Sequence, residues 1–379
     1  MSPEFFLNAS RSLRRALEAY ARTRGFSLFG VAPPQASPDD LDRLRAWLAR
    51  GCAAEMERYL GREPESRVDA TRLLPSARSV VVVGISYAQP PPDLSRLSGQ
   101  PEGRVARFAL GRDYHEVLGA RLEKLGRFLA AWPEWPPEWG EPVWRCQVDA
   151  GPLLERAFAR LAGVGFVGKN NCLIHPERGS WFVLGTLISN APLETDHPLE
   201  PLCGACRRCV EACPTGALAQ PYTLDARRCL SYRTIETRDP IEPDLAQRMG
   251  DRLFGCDACQ EACPFNSGKA ESLLADPQLR AGARGGESQL IRRGEGEKPA
   301  TEAAPSDLLE GSNATLAAIL QIRSNREFER RFAGSPLLRA RRKGLARNAR
   351  IVARNLGRKD LTEVPPETSD APPPLKNRS

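Results

Sequence analysis

The sequence predicts an α/β (α+β) amino-terminal domain, a cysteine-rich second domain and a short helical segment near the carboxyl end. Amphipathic helix patterns alternate with apolar strand patterns over residues 1–196, and eight of the 11 cysteines fall within residues 197–268. Residues 269–306 have little apolar content, and we expect a linker there. Basic residues at helical spacing follow over residues 307–359, and we expect residues 360–379 to be a disordered tail.

The elements of the first domain follow from residue periodicity. Apolar residues recur at helical spacing over residues 11–24 and 39–51, which predicts two amphipathic helices. Residues 79–87 are continuous, apolar and β-branched, as in a buried strand. Pro152 is predicted to open a helix that reaches about residue 162, because the first turn does not need its missing N–H. The other predicted elements are strands at 25–31, 143–148 and 181–188, a helix that ends near residue 129 and a glycine-rich turn at 163–168.

The cysteines of the second domain have the spacing of a protein with two iron–sulfur clusters. The first four read C-x2-C-x2-C-x3-C-P, the bacterial ferredoxin run, in which three thiolates bind one cluster and the fourth binds the other. This rule predicts a first 4Fe–4S cluster on Cys203, Cys206, Cys209 and Cys263, and a second on Cys213, Cys256 and Cys259. The second cluster needs one more ligand, and we expect Cys229 to supply it, although its position is irregular for a ferredoxin. Two structural zinc sites are the alternative, although zinc motifs rarely use this run.

Three further cysteines stand alone in the sequence. For Cys52 and Cys146 we expect packing in the core, because free cysteine behaves as a small apolar residue. Cys172 follows the glycine-rich turn, so it is a candidate to line a site as well as to pack.

The ends and the composition of the chain predict a cytoplasmic protein. The sequence begins without a basic segment followed by an apolar run, and the most apolar stretch, residues 80–87, is too short to span a bilayer. In the cytoplasm, clustered cysteines are expected to bind metal rather than to form disulfides. The formal net charge is +7, and arginine outnumbers lysine. That bias suits RNA contacts, but a GC-rich genome produces it too.

Two further segments have the residue types of a functional site. Residues 163–170 nearly match a phosphate-binding P-loop, but Asn170 stands where Ser or Thr would bind magnesium, and a helix precedes the segment where a strand is needed. We therefore reject nucleotide triphosphate binding. Asp149 lies at a predicted strand-to-helix junction. It is either a carboxylate favoured by the helix dipole or a general acid at the end of a strand.

The histidines and the basic segment have ordinary structural interpretations. His115, His175 and His197 show no paired spacing, so we expect structural roles, and the motif Asp-x-His-x-x-Gly is absent. Residues 339–350 have basic side chains at three- and four-residue spacing and no acidic ones. This pattern fits either a solvated helix face or a surface that follows nucleic-acid phosphates.

Short motifs surround the eight cysteines in a fixed order. They are GFSLFGV at 25–31, LLPSARSV at 73–80, GRDYH at 111–115, VDAGPLLE at 148–155, GKN at 168–170, GSW at 179–181, CLSYRTIE at 229–236 and GCDACQ at 255–260. In this combination, the chain resembles the epoxyqueuosine reductase family over most of residues 10–268.

The resemblance implies a function and a set of partners. The expected enzyme is a monomeric oxidoreductase that reduces epoxyqueuosine to queuosine at the wobble position of tRNA. Two 4Fe–4S clusters would pass electrons from an unidentified donor to cobalamin, which would lie between the first domain and the cysteine domain. Because the cobalamin-binding histidine motif is absent, we expect cobalt without a protein imidazole ligand.

The resemblance also implies roles for individual residues. Asp149 occupies the family's proton-donor position, which we expect to be a buried carboxyl group with a raised pKa. The implied cobalamin contacts are Arg67, Arg112, Asp149, Leu173 and Ser231. The basic residues expected to hold tRNA phosphates are Arg341, Arg342, Lys343 and Arg347.

Two other functions are compatible with the cysteine pattern. One is an electron-transfer protein with a ferredoxin module and no chemistry of its own, and the other is a cobalamin-dependent reductive dehalogenase acting on a small molecule. The pocket implied by Asp149 argues against the first. The second is usually exported with a twin-arginine signal, which this sequence does not show. The chain departs from the family in its short carboxy-terminal segment, in residues 52–56, which lack an expected histidine, and in Asn171-Cys172, which replaces a threonine-containing turn.

Overall fold

The computed structural model describes residues 3–89, 102–267, 275–280, 309–310 and 313–362. In these residues the helices are α1 Pro3–Thr23, α2 Pro38–Ala49, α3 Glu57–Leu60, α4 Tyr114–Ala130, α5 Glu155–Leu161, α6 Arg208–Glu211, α7 Leu230–Ile235, α8 Pro243–Met249, α9 Ala258–Glu261, α10 Leu316–Leu320, α11 Asn325–Arg331, α12 Arg341–Asn355 and α13 Lys359–Thr362. The strands are β1 Leu28–Ala32, β2 Ser79–Ser86, β3 Glu102–Val105, β4 Trp144–Gln147, β5 Phe166–Val167, β6 Leu173–Ile174, β7 Phe182–Ser189, β8 Arg252–Phe254, β9 Leu309–Glu310 and β10 Asn313–Thr315.

The first domain is built on a four-stranded antiparallel sheet with the strand order β1-β2-β7-β4. Every residue of β2 is buried, because it is a central strand with a core on each face. Val81 and Val83 pack with α1 and α4, whereas Val80 and Val82 face the core that contains α5. The predicted α/β (α+β) class is confirmed, and the antiparallel pairing makes α+β the more accurate of the two terms.

Helix α5 begins at Glu155, so the prediction that Pro152 opens it was wrong. The backbone N–H of Leu154 bonds to the carbonyl oxygen of Arg67 at 2.9 Å, and that of Leu153 lies 3.5 Å from Oε1 of Gln147. These tertiary bonds use N–H groups of the segment before α5 and hold residues 149–154 in a non-helical loop. Asp149 therefore lies in this loop, six residues before α5, and not at the strand-to-helix junction that the sequence predicted.

The second and third predicted domains share one core. Strand β3, from the first predicted domain, lies between two strands. It pairs with β8 of the cysteine domain on one side and with β10 of the carboxy-terminal segment on the other. Buried side chains of α7, α8, α10, α11 and α12 form one cluster with Leu253 and Phe254 of β8. The buried amide of Asn348 on α12 donates to carbonyl oxygens on Thr234 and Leu253, at 2.8 and 2.9 Å. The basic segment is therefore packed onto the cysteine domain.

Part of the predicted linker packs against the first domain. Leu279 is 1% exposed in the core with α4, and Asp276 forms a two-bond pair with Arg121 at 2.6 and 3.0 Å. These six residues, 275–280, therefore do not behave as the expected linker. Most of residues 269–306 and of the predicted tail lie outside the described residues.

A glycine on α4 sets how closely this helix approaches the sheet. A Cβ added at Gly126 would overlap the indole of Trp144 on β4, whereas one at Gly119 on the same helix would meet nothing within 4 Å. We expect Gly126→Ala to lower the free energy of unfolding by about 2 kcal/mol, as overpacking does. We expect Gly119→Ala to raise it by about 0.5 kcal/mol, because alanine favours the helix. Thermal unfolding followed by circular dichroism tests both variants, and equal shifts would contradict the close-approach argument.

Candidate redox and active site

The first four predicted ligands surround one cavity. Cys203, Cys206, Cys209 and Cys263 line it, and Lys169, Asn170, Ile174, Pro264 and Phe265 complete its wall. Cys209 and Cys263 are buried, and the other two thiols are half-buried. Four thiols around one cavity are the donor set that a 4Fe–4S cluster requires, so the residues fit such a group.

Lys169 connects the first domain to the first cysteine group. Its ammonium group donates to the carbonyl oxygens of Gly204 at 2.6 Å and Cys206 at 2.9 Å. Lys169, which belongs to the segment that nearly matches a P-loop, therefore holds the loop that carries Cys203 and Cys206. Asn170 beside it approaches the carbonyl oxygen of Cys259 at 3.4 Å, so the same turn contacts both cysteine groups.

The other four predicted ligands also lie together. The Cys229 thiol lies close to Cys213 and Cys256, and Cys259 lies close to Cys229 and Cys256. Burial raises the pKa of Cys229 to about 11, while the backbone N–H groups of Ser231 and Tyr232 act in the opposite sense. In the part of the chain that the structure describes, no three His, Cys, Asp or Glu side chains are close enough to hold a single metal ion.

The three lone cysteines differ in their surroundings. Cys52 is buried, and Cys146 is half-buried on β4 beside Glu123. The thiol of Cys172 lies 3.9 Å from the carbonyl oxygen of Asn170, and the neighbouring Cys259, a predicted cluster ligand, lowers its pKa. Of the three, only Cys172 therefore borders the predicted second cluster.

Asp149 lies on an exposed loop and has φ +51°, a left-handed conformation that is unusual for a residue other than glycine. The hydroxyl of Tyr114 donates to its Oδ2 at 2.5 Å, and Nε2 of His115 lies 3.5 Å from the same oxygen. These contacts, led by the hydrogen bond to His115, hold the pKa of Asp149 below its usual range. The expectation of a buried carboxyl group with a raised pKa was wrong, because the side chain is 62% exposed and has a cationic neighbour.

Glu155 is a residue that the sequence analysis did not single out. Its Oε1 accepts a hydrogen bond from the backbone N–H of Asp149 at 2.6 Å. Burial, followed by the charge of Asp149, raises the pKa of Glu155 to about 8. The only signal in the sequence was its place at the end of the VDAGPLLE motif.

Tyr59 and Arg67 hold the loop that carries Asp149. The Tyr59 hydroxyl lies 2.9 Å from the carbonyl oxygen of Ala150 and 2.8 Å from that of Gly151. The guanidinium group of Arg67 stacks 4.5 Å from the centre of the Tyr59 ring and donates to the carbonyl oxygen of Pro152 at 3.1 Å. Arg67 is 3% exposed and also donates to Leu60 and Tyr59, so its donors are committed to the backbone.

The other predicted cofactor contacts lie on different elements. Arg112 precedes α4 and is partly buried, 3.8 Å from Glu116. Ser231 is half-buried in the first turn of α7, beside Cys229. Leu173 is 8% exposed, and its side chain packs in the core with α5.

One arginine lies near both Asp149 and Cys172, the lone cysteine beside Cys259. The charge of Arg156, on α5, lowers the pKa of Asp149 and that of Cys172. Its guanidinium group also donates to the carbonyl oxygen of Asn171. Asp149 and the thiols around Cys259 therefore border one region, between the first domain and the cysteine domain.

The basic carboxy-terminal residues divide into two sets. Arg341 and Lys343 are exposed. Arg342 is 3% exposed, and the guanidinium group of Arg347 donates to the carbonyl oxygens of Thr237, Asp239 and Arg233. Burial lowers the pKa of Arg347 to about 10. The structure thus turns Arg342 and Arg347 inward, which disagrees with the prediction that they contact phosphates.

Arg339 brings a further positive charge to the site. It pairs with Glu236 at 2.9 Å and is 68% exposed. The charges of Asp149 and Tyr114 act on it, so the carboxy-terminal segment reaches the neighbourhood of Asp149. The sequence analysis included this residue only as part of a basic run.

The fold and the cysteine groups define a class of protein. Residues 202–266 match the family described as a 4Fe-4S double cluster binding domain. Residues 67–149 match the family described as Epoxyqueuosine reductase QueG, DUF1730. The chain is an iron–sulfur oxidoreductase in which a double-cluster module is joined to an α+β domain. In the described residues, no helix has both the length and the apolar character needed to cross a membrane.

Comparisons with whole proteins give the family. The chain is 38% identical over 341 residues to epoxyqueuosine reductase from Gloeobacter violaceus, covering 88% of this chain and 93% of that protein. It superposes with a TM-score of 0.76 and 30% identity on the Bacillus subtilis epoxyqueuosine reductase, whose aspartate catalytic loop is swung out of the active site; 92% of this chain and 83% of that one are covered. A structure of an epoxyqueuosine reductase with an epoxyqueuosine-modified tRNA stem loop matches with a TM-score of 0.75, 30% identity and the same coverage. The chain belongs to the epoxyqueuosine reductase family.

Proposed function

We propose that this protein reduces epoxyqueuosine to queuosine in tRNA. The observation that carries the proposal is the position of Asp149: it is exposed beside Tyr114 and His115, and it shares Arg156 with Cys172, which adjoins Cys259 of the second cysteine group. A proton-handling carboxylate and an electron-delivering module thus border one site. A pure electron carrier needs no such carboxylate.

The two 4Fe–4S clusters are assigned to the two cysteine groups. Cys203, Cys206, Cys209 and Cys263 would bind the first cluster, which is supported by the cavity that they line. Cys213, Cys229, Cys256 and Cys259 would bind the second, which is supported by their mutual proximity. The second cluster would lie nearer to Asp149, because Arg156 connects its surroundings to that residue.

Cobalamin is the proposed cofactor between the two domains. The residues present fit it in part: Arg112 and Ser231 are partly exposed, Leu173 is packed in the core with α5, and Arg67 is committed to carbonyl oxygens. Arg67 would therefore act by holding the Asp149 loop. When bound, the cofactor would supply a reducing cobalt centre for the epoxide. We propose that cobalt has no protein imidazole ligand, since His115 is engaged with Asp113 and Asp149.

The side chains of this protein would deliver a proton to the substrate and hold the proton donor in place. Asp149 would deliver a proton to the epoxide oxygen as the carbon–oxygen bond breaks. Tyr114 holds the carboxylate through its hydroxyl, and Glu155 fixes the backbone through the N–H of Asp149. Tyr59 and Arg67 hold the rest of the loop. Arg156 and Arg339 add positive charge near the site, which favours an anionic nucleic acid.

The decisive experiment is an anaerobic assay of the cluster-loaded and cobalamin-loaded protein on tRNA that carries epoxyqueuosine. Conversion to queuosine with a one-electron reductant supports the proposal. A protein that binds clusters and passes electrons without converting the base would instead be an electron carrier. We further propose a cytoplasmic monomer, which size-exclusion chromatography coupled to light scattering tests for the oligomeric state.

The exposed basic residues of α12 give a prediction about tRNA binding. We expect the double variant Arg341→Ala/Lys343→Ala to bind tRNA more weakly and to reduce the slope of log affinity against log salt by about one per removed contact. The matched control replaces Arg15 and Arg22, two exposed arginines on α1. Filter binding between low and moderate salt measures both. An affinity equal to that of the control would show that the basic face of α12 is simply solvated.

A further inference from the structure

The proposed reaction consumes two protons in each turnover. Removal of an epoxide oxygen breaks two carbon–oxygen bonds, forms a carbon–carbon double bond and releases the oxygen as water. The balance requires two electrons, which a one-electron reductant supplies in two steps through the clusters, and two protons. Asp149 can carry only one proton at a time, and its lowered pKa keeps it ionised at neutral pH. Each turnover therefore needs a source that returns a proton to Asp149.

His115 is placed to be that source. Its Nε2 lies 3.5 Å from Oδ2 of Asp149, and its Nδ1 lies 2.7 Å from Oδ1 of Asp113. The same Asp113 oxygen accepts the backbone N–H of His115 at 2.9 Å, which fixes the imidazole at the start of α4. The ring is 39% exposed, so it can take up protons from water.

We infer that His115, held by Asp113, reprotonates Asp149 so that one carboxylate delivers both protons of a turnover. The proton on Nε2 passes to Oδ2 of Asp149, and the imidazole regains a proton from solvent. His115 acts through Asp149 and does not touch the substrate, so it is a positioning and proton-supplying residue. This inference rests on the proposed function and assigns the GRDYH motif a part in it.

The charged groups that face the pair favour a protonated imidazole at rest. Asp113 and Tyr114 lie on its own element, and Asp149, Glu155 and Arg156 face it or Asp149 from the opposite loop and α5. Arg339 approaches Asp149 and Tyr114 from the carboxy-terminal segment. The hydrogen bonds to Asp113 and Asp149 raise the pKa of His115 to about 9. The imidazole is therefore charged at neutral pH and loses its proton as the pH rises through that value.

The test is the pH dependence of epoxide reduction by the fully loaded protein. We expect the wild-type rate to fall above about pH 9, where His115 loses its proton. In Asp113→Asn this fall should begin about one pH unit lower, because the variant removes the main cause of the raised pKa. His115→Gln should lower kcat about 10²-fold, and its rate should no longer fall above about pH 9. His197→Gln, an exposed histidine elsewhere, should match the wild type.

A second measurement does not depend on activity. The chain has three histidines, so nitrogen-15 labelling of histidine gives a spectrum in which His115 is identified by its absence in His115→Gln. We expect its titration midpoint near pH 9 in the wild type and a lower midpoint in Asp149→Asn. An unchanged midpoint in that variant, or an unchanged pH profile in both Asp113→Asn and His115→Gln, would overturn the inference. Absence of epoxide reduction in the wild type would instead count against the proposed function.

Discussion

Replacing Asp149 with asparagine is expected to abolish epoxide reduction while leaving the protein folded and loaded with its cofactors. Asparagine has nearly the same shape but cannot deliver a proton, so the loss should be at least about 10³-fold in kcat, within the range for general acids. The side chain is 62% exposed and belongs to no core, so stability should change little. Single-turnover conversion of epoxide-bearing tRNA, together with the iron and cobalamin absorption spectra, measures both effects.

The matched control for this variant is Asp42→Asn on α2. Asp42 is 77% exposed and has only a 4.0 Å contact with Arg45, so its loss should leave the rate unchanged. Full activity in Asp149→Asn would remove the proton-donor role. A rate that falls together with cofactor content would show that the loop supports binding rather than proton transfer.

Replacing Cys229 with alanine is expected to remove one of the two clusters. Anaerobically purified wild-type protein should be brown and hold about eight irons, whereas Cys229→Ala should retain about four. The first cluster should remain, because its four ligands line a separate cavity that does not include Cys229. Iron and zinc analysis, with electron paramagnetic resonance of the reduced protein, measures the result.

Cys146→Ala is the control for cysteine loss. Cys146 lies on β4 among apolar side chains, away from the predicted ligands in the chain, so its removal should leave the iron content unchanged. A Cys229→Ala protein with undiminished iron would assign the second cluster to another ligand. A colourless wild-type protein that contains zinc would exclude both clusters.

The cluster ligands were the part of the site that could be predicted most fully from the sequence. Short C-x2-C spacings act locally, since a loop of that length already places its thiols side by side. The structure places Cys263 beside the first three cysteines and Cys229 near Cys213 and Cys256, and the assignment of the clusters to these sets stays a prediction. The helices and strands of the first domain were likewise readable, because apolar periodicity records which side of each element is buried.

The protonation of Asp149 could not be predicted from the sequence. The motif indicated a carboxyl group at a strand end, and burial with a raised pKa was the expected setting. The structure gives an exposed carboxylate with a lowered pKa, because Tyr114 and His115 at the start of α4 hydrogen-bond to it. It is Glu155, six residues further on, that is half-buried and has the raised pKa.

The sequence by itself determined the spacing of the eight clustered cysteines, the alternation of helices and strands, and the short motifs that surround those cysteines. Only the tertiary structure decided which way long side chains turn. It buries Arg342 beside Asn325 of α11 and turns Arg347 onto carbonyl oxygens of the cysteine domain. It also commits Arg67 to the Asp149 loop and joins α12 to β8 in a shared core. The physical reason is that a short motif sets local geometry, whereas the burial and charge of a side chain depend on segments that are distant in the chain.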